Sequence, residues 1–280
     1  MGADGERYSR NIAFFGADGQ SKIQGTKVAI VGLGGLGSHV AQQLAYLGVR
    51  SFGLIDHDVV TASSMNRLIG AVPSDVDAAN QKVAVAERMI GAIQPNANVR
   101  TAPETVQTTA AEELIAGSDL LFGCLDRDLP RLALTELAAR YARPYFDLAS
   151  DTDGSGPGAI FGGRIVFADG NQCLSCLDLL DQDEMRRDGM TREQREADDR
   201  IYGVRRGDLN EAGPSVVSVN GVVASLGVTE FMAFVTGVRS PAINLTYRGD
   251  LQRITRVVDP PRPGCWYCKA LWGKGRARIS

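Results

Sequence analysis

A chain of 280 residues, 44% hydrophobic and 22% charged, is long enough to bury a sizeable core and has the composition of a soluble globular protein. Its formal net charge of −3 lacks the basic surplus expected of a protein that binds nucleic acid or an anionic membrane. No uninterrupted apolar run reaches membrane-spanning length and the start, Met1 to Arg10, is polar rather than signal-like, so the expectation is a cytoplasmic protein without a membrane segment.

Residues 1–25 read as an N-terminal helical segment. Lys27 to Gly32 (KVAIVG) is short, apolar and ended by glycine, which predicts a fully buried strand. A helix then starts inside Gly32-Leu33-Gly34-Gly35-Leu36-Gly37 and runs to about Tyr46, where Gly48 stops it. Ser51 to Asp56 (SFGLID) is a second strand, completing a βαβ unit of the length that joins parallel strands by a right-handed crossover. Asn80 to about Ile93 reads as an amphipathic helix, Asp119 to Cys124 as a buried strand, Leu129 to Ala142 as a helix, and Tyr145 to Ala149 as another strand. The alternation predicts an α/β fold: a doubly wound, Rossmann-like, mostly parallel sheet with its ligand crevice at the strands' carboxyl ends.

Past Ala149 the pattern breaks. Ala159 to Ala168 reads as one or two strands interrupted by Gly162-Gly163, and Asp181 to Asn210 as a mobile charged connection with a short helix near Thr191 to Arg200. Ser215 to about Thr236 is apolar on nearly all sides and predicts a buried helix, with Gly221, Ala224, Ser225 and Gly227 permitting close packing. Ile243 to Tyr247 and Leu251 to Val257, flanking Arg248-Gly249-Asp250, predict an appended antiparallel hairpin. The organisation expected is one domain, with a nucleotide-binding half over 26–150, a substrate and metal half over 151–280, and a crossover loop over about 181–213.

Two features carry chemistry. Gly32, Gly34 and Gly37, with Gly35 between them, have the spacing at which a tight turn brings backbone amides and a helix N-terminus to a phosphate. Asp56 ends the second strand, where an acid accepts hydrogen bonds from ribose hydroxyls. By themselves these residues fit NAD, FAD, S-adenosylmethionine or ATP. Four of the five cysteines form two Cys-x-x-Cys pairs, Cys173/Cys176 and Cys265/Cys268, a thiolate set that suits a closed structural zinc better than a disulfide framework. Such a site leaves no open position for water, so the metal is expected to clamp the chain's end; Trp266 and Tyr267 within the second pair read as packing residues.

Taken in order, Arg7-Tyr8-Ser9-Arg10, the glycine turn with Ser38, Ile55-Asp56-His57-Asp58, Asn66-Arg67, Gln81-Lys82, Cys124-Leu125-Asp126 and the cysteine pairs resemble the ThiF/MoeB family, bacterial relatives of ubiquitin-activating enzymes. The resemblance runs from about Glu6 to Cys268. It implies a homodimeric adenylyltransferase that uses ATP and Mg2+ to activate the C-terminal glycine of a ubiquitin-like or sulfur-carrier protein ending in Gly-Gly. It also implies roles: Arg67 and Lys82 on the phosphates, Arg10 reaching across the dimer to the partner's phosphates, Asp126 holding magnesium, and Asp56 the ribose with Asp58 beside it. Electrostatic neutralisation and in-line positioning are what attack on a triphosphate demands.

Several positions depart from the family pattern. Ser64 and Leu68 stand where the family usually has asparagine and glutamine, and Arg127 where it often has asparagine; Arg127 is expected either to add a cation or to cap the next helix. The crossover stretch Asp208-Leu209-Asn210-Glu211-Ala212-Gly213 holds no cysteine, so adenylation without an enzyme thioester is expected. The adenylate would then pass to a sulfur donor, an amine or a separate conjugating or sulfurtransfer protein. Cys124 reads as a core residue, His39 as a packed or solvated helix residue, and His57 as a shield or hydrogen-bonding group. The charged stretch Met185 to Arg206 reads as a solvated loop, or as one that orders over a bound tail. The alternatives are activation of a peptide, small-molecule or tRNA-borne carboxylate, or a catalytically silent partner subunit. An NAD-dependent oxidoreductase would leave Lys82, Asp126 and the cysteine pairs without a role.

Overall fold

The computed structural model describes residues 3–154, 156–191, 193–194 and 214–275. In chain order these form α1 (Ala3–Arg7), α2 (Ser9–Gly25, broken at Gly16), β1 (Lys27–Val31), α3 (Gly35–Leu47) and β2 (Ser51–Ile55). A 3-10 turn (Ala62–Ser64), α4 (Pro73–Asp77), α5 (Lys82–Ile93), β3 (Asn98–Ala102), α6 (Thr109–Ala116), β4 (Leu120–Gly123) and α7 (Asp128–Tyr141) follow. The remainder is β5 (Tyr145–Asp153), β6 (Ile160–Ala168), α8 (Gln182–Asp188), α9 (Val217–Thr236), β7 (Asn244–Arg248), β8 (Arg253–Val257) and a π-helical turn, Tyr267–Leu271.

All eight strands share one sheet in the order β3-β2-β1-β4-β5-β6-β7-β8. β3 through β5 are parallel, and β6, β7 and β8 extend the sheet antiparallel. This is the Rossmann-like α/β architecture expected, with the antiparallel extension. Strand order reverses between β1 and β4, so their carboxyl ends open a crevice of the kind in which such sheets bind ligands. Alternate residues of β1 serve opposite cores: Val28 and Ile30 pack with α3, α5 and α9, while Ala29 and Val31 pack with α6, α7 and the cysteine knuckles.

The structure corrects several expectations. β6 runs unbroken through Gly162-Gly163, because those glycines are squeezed between neighbours rather than ending the strand. A Cβ on Gly162 would sit 1.9 Å from the Tyr247 carbonyl oxygen, and one on Gly163 would sit 2.3 Å from that of Ala149. β5 extends four residues past Ala149, carried by its pairing with β6. The connection read as mobile contains α8, capped by Asp181, whose side chain accepts from the Asp183 and Glu184 amides. Most of the helix expected near Thr191 to Arg200, and the stretch 208–213, lie outside the described residues. β3 and α6 have no counterpart in the sequence reading: β3 is a largely exposed edge strand, and α6 is only eight residues long.

The helix expected to be buried, α9, is so on one side only. Val223, Ala224 and Phe231 are inside, while Val217, Val222 and Phe234 are more than a third exposed. By length and composition this helix could cross a membrane. In the fold it packs along α3, β5 and β6, with Asn220 and Glu230 buried at 1% and 3% exposure.

Candidate active site

The glycine turn is built by close approach. Gly32 has φ +87, and a Cβ there would lie 2.5 Å from the Cys124 carbonyl oxygen, so the β1–α3 turn touches the β4–α7 turn that carries Asp126. A Cβ on Gly37 would lie 1.8 Å from the Gly32 carbonyl oxygen, which seats α3 tightly on β1. At Gly34 nothing comes within 4 Å, leaving the open side of the turn and the amino end of α3 accessible.

Asp56 braces this turn. Its Oδ2 accepts from the Leu33 amide at 2.6 Å and its Oδ1 from the Asp58 amide at 2.8 Å, with the residue 7% exposed. Burial, the largest influence, raises the Asp56 carboxyl above its usual value against the opposing pull of Lys82 and the two amides. Lys82 donates to Asp58 Oδ2 at 2.6 Å, and its amide donates to the Asp58 carbonyl. Burial opposes ionisation of Asp58, but the Lys82 ammonium outweighs it and the carboxyl stays below its ordinary range. Arg67 donates to the Ser63 carbonyl at 2.5 Å and Asn66 Oδ1 at 3.1 Å, and its Cδ would meet a Cβ on Gly35 at 3.3 Å. The structure therefore gathers Gly32, Gly34, Gly35, Gly37, Asp56, Asp58, Arg67, Lys82 and Asp126 around the carboxyl ends of β1, β2 and β4. Asp126 is exposed.

Arg10 is not brought there. Tyr8 packs under Gly48 and hydrogen-bonds Gln94, and Gln20 donates to the Leu47 carbonyl at 3.0 Å, so the N-terminal helices sit at the carboxyl end of α3. The 13 residues of α3 span about 20 Å. Within one chain Arg10 stands at the end opposite the glycine turn.

The departures from the family pattern have local explanations. Ser64 is 6% exposed, and its hydroxyl lies 3.0 Å from Thr61 Oγ1, which commits it to the 3-10 turn. Leu68 packs with Val60 and Val85. Arg127 immediately precedes α7 without capping it through its side chain, and pairs with Asp188 at 3.5 Å. His57 is exposed and lies 3.3 Å from Asp58. His39 adjoins an open groove of about 460 Å³ between α3 and α9, also lined by Gln43, Ser225 and Thr229. None of the cations or carboxylates above lines that groove. The Cys124 thiol is pushed up by burial, chiefly, and by Asp147.

Sequence reasoning missed three supporting residues. Asn220 reaches from α9 over the turn: a Cβ on Gly35 would lie 2.2 Å from its Nδ2, while its Oδ1 accepts from Ser150 at 2.7 Å. Asp75, 1% exposed, accepts from the Val72 amide, Asn80 and both terminal nitrogens of Arg88, fixing the segment between Arg67 and Lys82. Asp147 is wholly buried in β5. Each had a signal: a polar residue in an apolar helix, an acid two places after Pro73, and an acid within the apolar strand Tyr145-Phe146-Asp147-Leu148-Ala149.

The four knuckle sulfurs converge. Cys173 Sγ lies 3.8 Å from Cys176 Sγ and 3.6 Å from Cys265 Sγ, and Cys176 Sγ lies 4.0 Å from Cys268 Sγ. A disulfide would need about 2.0 Å, whereas four thiolates about 2.3 Å from one tetrahedral metal stand about 3.8 Å apart. The set fits a metal. Arg262 staples the two knuckles, its amide donating to the Cys176 carbonyl at 2.8 Å and its NH2 to that of Ser175 at 3.0 Å.

Sheet order, glycine turn and flanking charges define an α/β protein of the nucleotide-binding type, with a four-cysteine cluster able to hold a metal. The chain belongs to the ThiF family, which it matches over residues 8–267. It is similar to the molybdopterin-synthase adenylyltransferase of Escherichia coli, 27% identical over 94% of this chain and 95% of that one. It is also similar to the SAMP-activating enzyme E1 of Haloferax volcanii, 31% identical over 47% of this chain, a match spanning only about half (49%) of that enzyme. Among solved structures it superposes on Escherichia coli MccB with AMPCPP and MccA at a TM-score of 0.73, with 19% identity, over 95% of this chain and 74% of that one.

Proposed function

We propose that this chain is an ATP-dependent adenylyltransferase acting on the C-terminal glycine carboxylate of a ubiquitin-like or sulfur-carrier protein. The observation that carries the reading is the contact between the glycine turn and the Asp126 turn, with Arg67 and Lys82 flanking the same crevice. The names of its full-length and half-length relatives support it. The amino end of α3 and the turn's amides would hold the triphosphate, Lys82 and Arg67 would neutralise it, and Asp56 would meet the ribose while bracing the turn. Asp126 would hold magnesium, which when bound supplies charge for the departing pyrophosphate. A carboxylate oxygen bonds to the α-phosphorus as the bond from that phosphorus to the bridging oxygen of the β-phosphate breaks. Neither partner of that exchange needs a base.

Arg10 would act in a homodimer, where the partner's copy completes the crevice; the exposed apolar face of α9 and Phe14, 68% exposed, supports such a contact. Four cysteines converge in one cluster and the fifth, Cys124, is a half-buried residue whose thiol is pushed up by burial, which supports adenylation without an enzyme thioester. Zinc is the metal that a four-thiolate tetrahedral set best accommodates, in a structural role. The test is ATP–pyrophosphate exchange with and without a carrier ending in Gly-Gly. Exchange that requires the carrier and vanishes in Asp126→Ala is expected. Exchange with a small carboxylate alone would transfer the reading to small substrates, and none under any condition would end it.

A further inference from the structure

Behind Asp126 lies a buried ionic cluster that the reaction itself does not require. Arg131, whose side chain is 10% exposed, donates to the Leu125 carbonyl twice, from Nε at 3.0 Å and from NH2 at 2.7 Å. That carbonyl belongs to the peptide unit joining Leu125 to Asp126, and a peptide unit is planar and stiff. Gripping its oxygen therefore fixes the amide nitrogen and Cα of Asp126. A planar guanidinium bound at two points fixes direction as well as position, which a lysine ammonium does not.

The grip is itself held. Asp147 Oδ1, which accepts from the Tyr145 hydroxyl at 2.8 Å, lies 3.9 Å from Arg131 Nε, and Asp128 Oδ1 lies 3.5 Å from NH1. Arg164 approaches Asp147 Oδ2 at 3.9 Å and donates to the Leu179 carbonyl at 3.0 Å. On the far flank of Asp126, Asp128 Oδ2 accepts from the Asp181 amide at 2.7 Å, and Asp188 accepts from the Leu129 amide at 3.4 Å and pairs with Arg127. Both ends of α8 are thus clasped to the amino end of α7, and Asp188 also to Arg127, the residue after Asp126. Ion pairs this deep stabilise a fold little better than apolar packing would.

We propose that Arg131, seated by Asp147 and Asp128, is the positioning residue that aims the Asp126 carboxylate at a nucleotide-bound divalent cation, and that α8 shares in setting that aim. The proposal rests on the adenylation reading. Its test is a cycle of wild type, Asp126→Ala, Arg131→Lys and the double variant, with Mn2+ as the probe. Mn2+ binding in the presence of α,β-methylene-ATP is followed by electron paramagnetic resonance, and metal-free binding of the analogue by calorimetry.

Arg131→Lys should weaken Mn2+ binding by about 10- to 100-fold, the range for losing a residue that orients a metal ligand. Metal-free nucleotide binding should stay near wild type. In the Asp126→Ala background the same change should have no further effect, because the carboxylate it aims is gone. Wild-type Mn2+ affinity in Arg131→Lys, or equal weakening in both backgrounds, would overturn the proposal. Should Arg131→Lys fail to fold, Asp128→Asn carries the test with the same logic and an expected weakening of about threefold; no weakening, or weakening without Asp126, counts against it. A wild-type chain that binds no Mn2+–nucleotide defeats the adenylation reading, and the proposal with it. One that binds both and gives additive effects defeats the proposal alone.

Discussion

Asp56→Asn separates two roles that the resemblance alone would merge. If the carboxylate only met ribose, the substitution would cost nucleotide affinity and leave the empty protein intact. The structure gives it an earlier task, since both oxygens accept backbone amides, at 2.6 Å from Leu33 and 2.8 Å from Asp58. An amide side chain keeps one acceptor and turns an N–H toward the other donor. One charge-assisted bond is lost, worth about 1.5–3 kcal/mol, and the amide it served is left without an acceptor in a largely buried place. Relief of the cost of burying the carboxylate offsets part of this, so the net expectation is about 1–2 kcal/mol of lost stability, or about 2–3 °C in Tm for a chain of this size. Urea unfolding and scanning calorimetry without nucleotide measure it, and an ATP titration by calorimetry runs beside them. An Asp56→Asn variant that unfolds with wild-type midpoints while losing ATP would refute the bracing role.

Two further outcomes follow from the same contacts. Asp75 is held far below the usual carboxylate range, by the Arg88 guanidinium first of all and then by Asn80 and the Val72 amide. A depressed folded-state value means that its contribution is fully present above the unfolded pKa near 3.9 and is lost as pH falls toward the folded one. Urea midpoints should therefore drop for wild type below about pH 4, while Asp75→Asn should start less stable at neutral pH and fall less steeply. Parallel curves would count against it. For the cysteine cluster, elemental analysis should find one zinc per chain, and its removal by chelation should lower Tm by several degrees, as should Cys265→Ser. An unchanged Tm in protein shown to be metal-free would dismiss a structural metal.

Much of the site was legible because its signals are local. The strand, glycine turn and helix from Lys27 to Leu47 are contiguous, and glycine at fixed spacing has few other uses. The cysteine pairs were legible from spacing alone, although 92 residues separate Cys173 from Cys265. What escaped was set by partners distant in sequence. Gly162-Gly163 looked like a break because glycine weakens isolated strands, yet the carbonyls of Tyr247 and Ala149 demand it. β3 alternates weakly because it is an edge, and α6 offers barely two turns of pattern. Arg131, Asp147 and Asn220 carry no motif. Asn220 meets Ser150 from 70 residues away, and Asp147 meets Arg131 and Arg164 only in the folded sheet, while the grip of Arg131 on the Leu125 carbonyl, six residues back, follows no recurrent spacing.

The knuckles have a topological effect as well. Cys176 precedes α8 and Cys265 follows β8, so a metal bridging them closes the intervening chain into a ring. Tying ends this far apart in sequence removes about 4–5 kcal/mol of freedom from the unfolded ensemble. The two chain segments that leave and re-enter the knuckles stay side by side whatever the ring does between them.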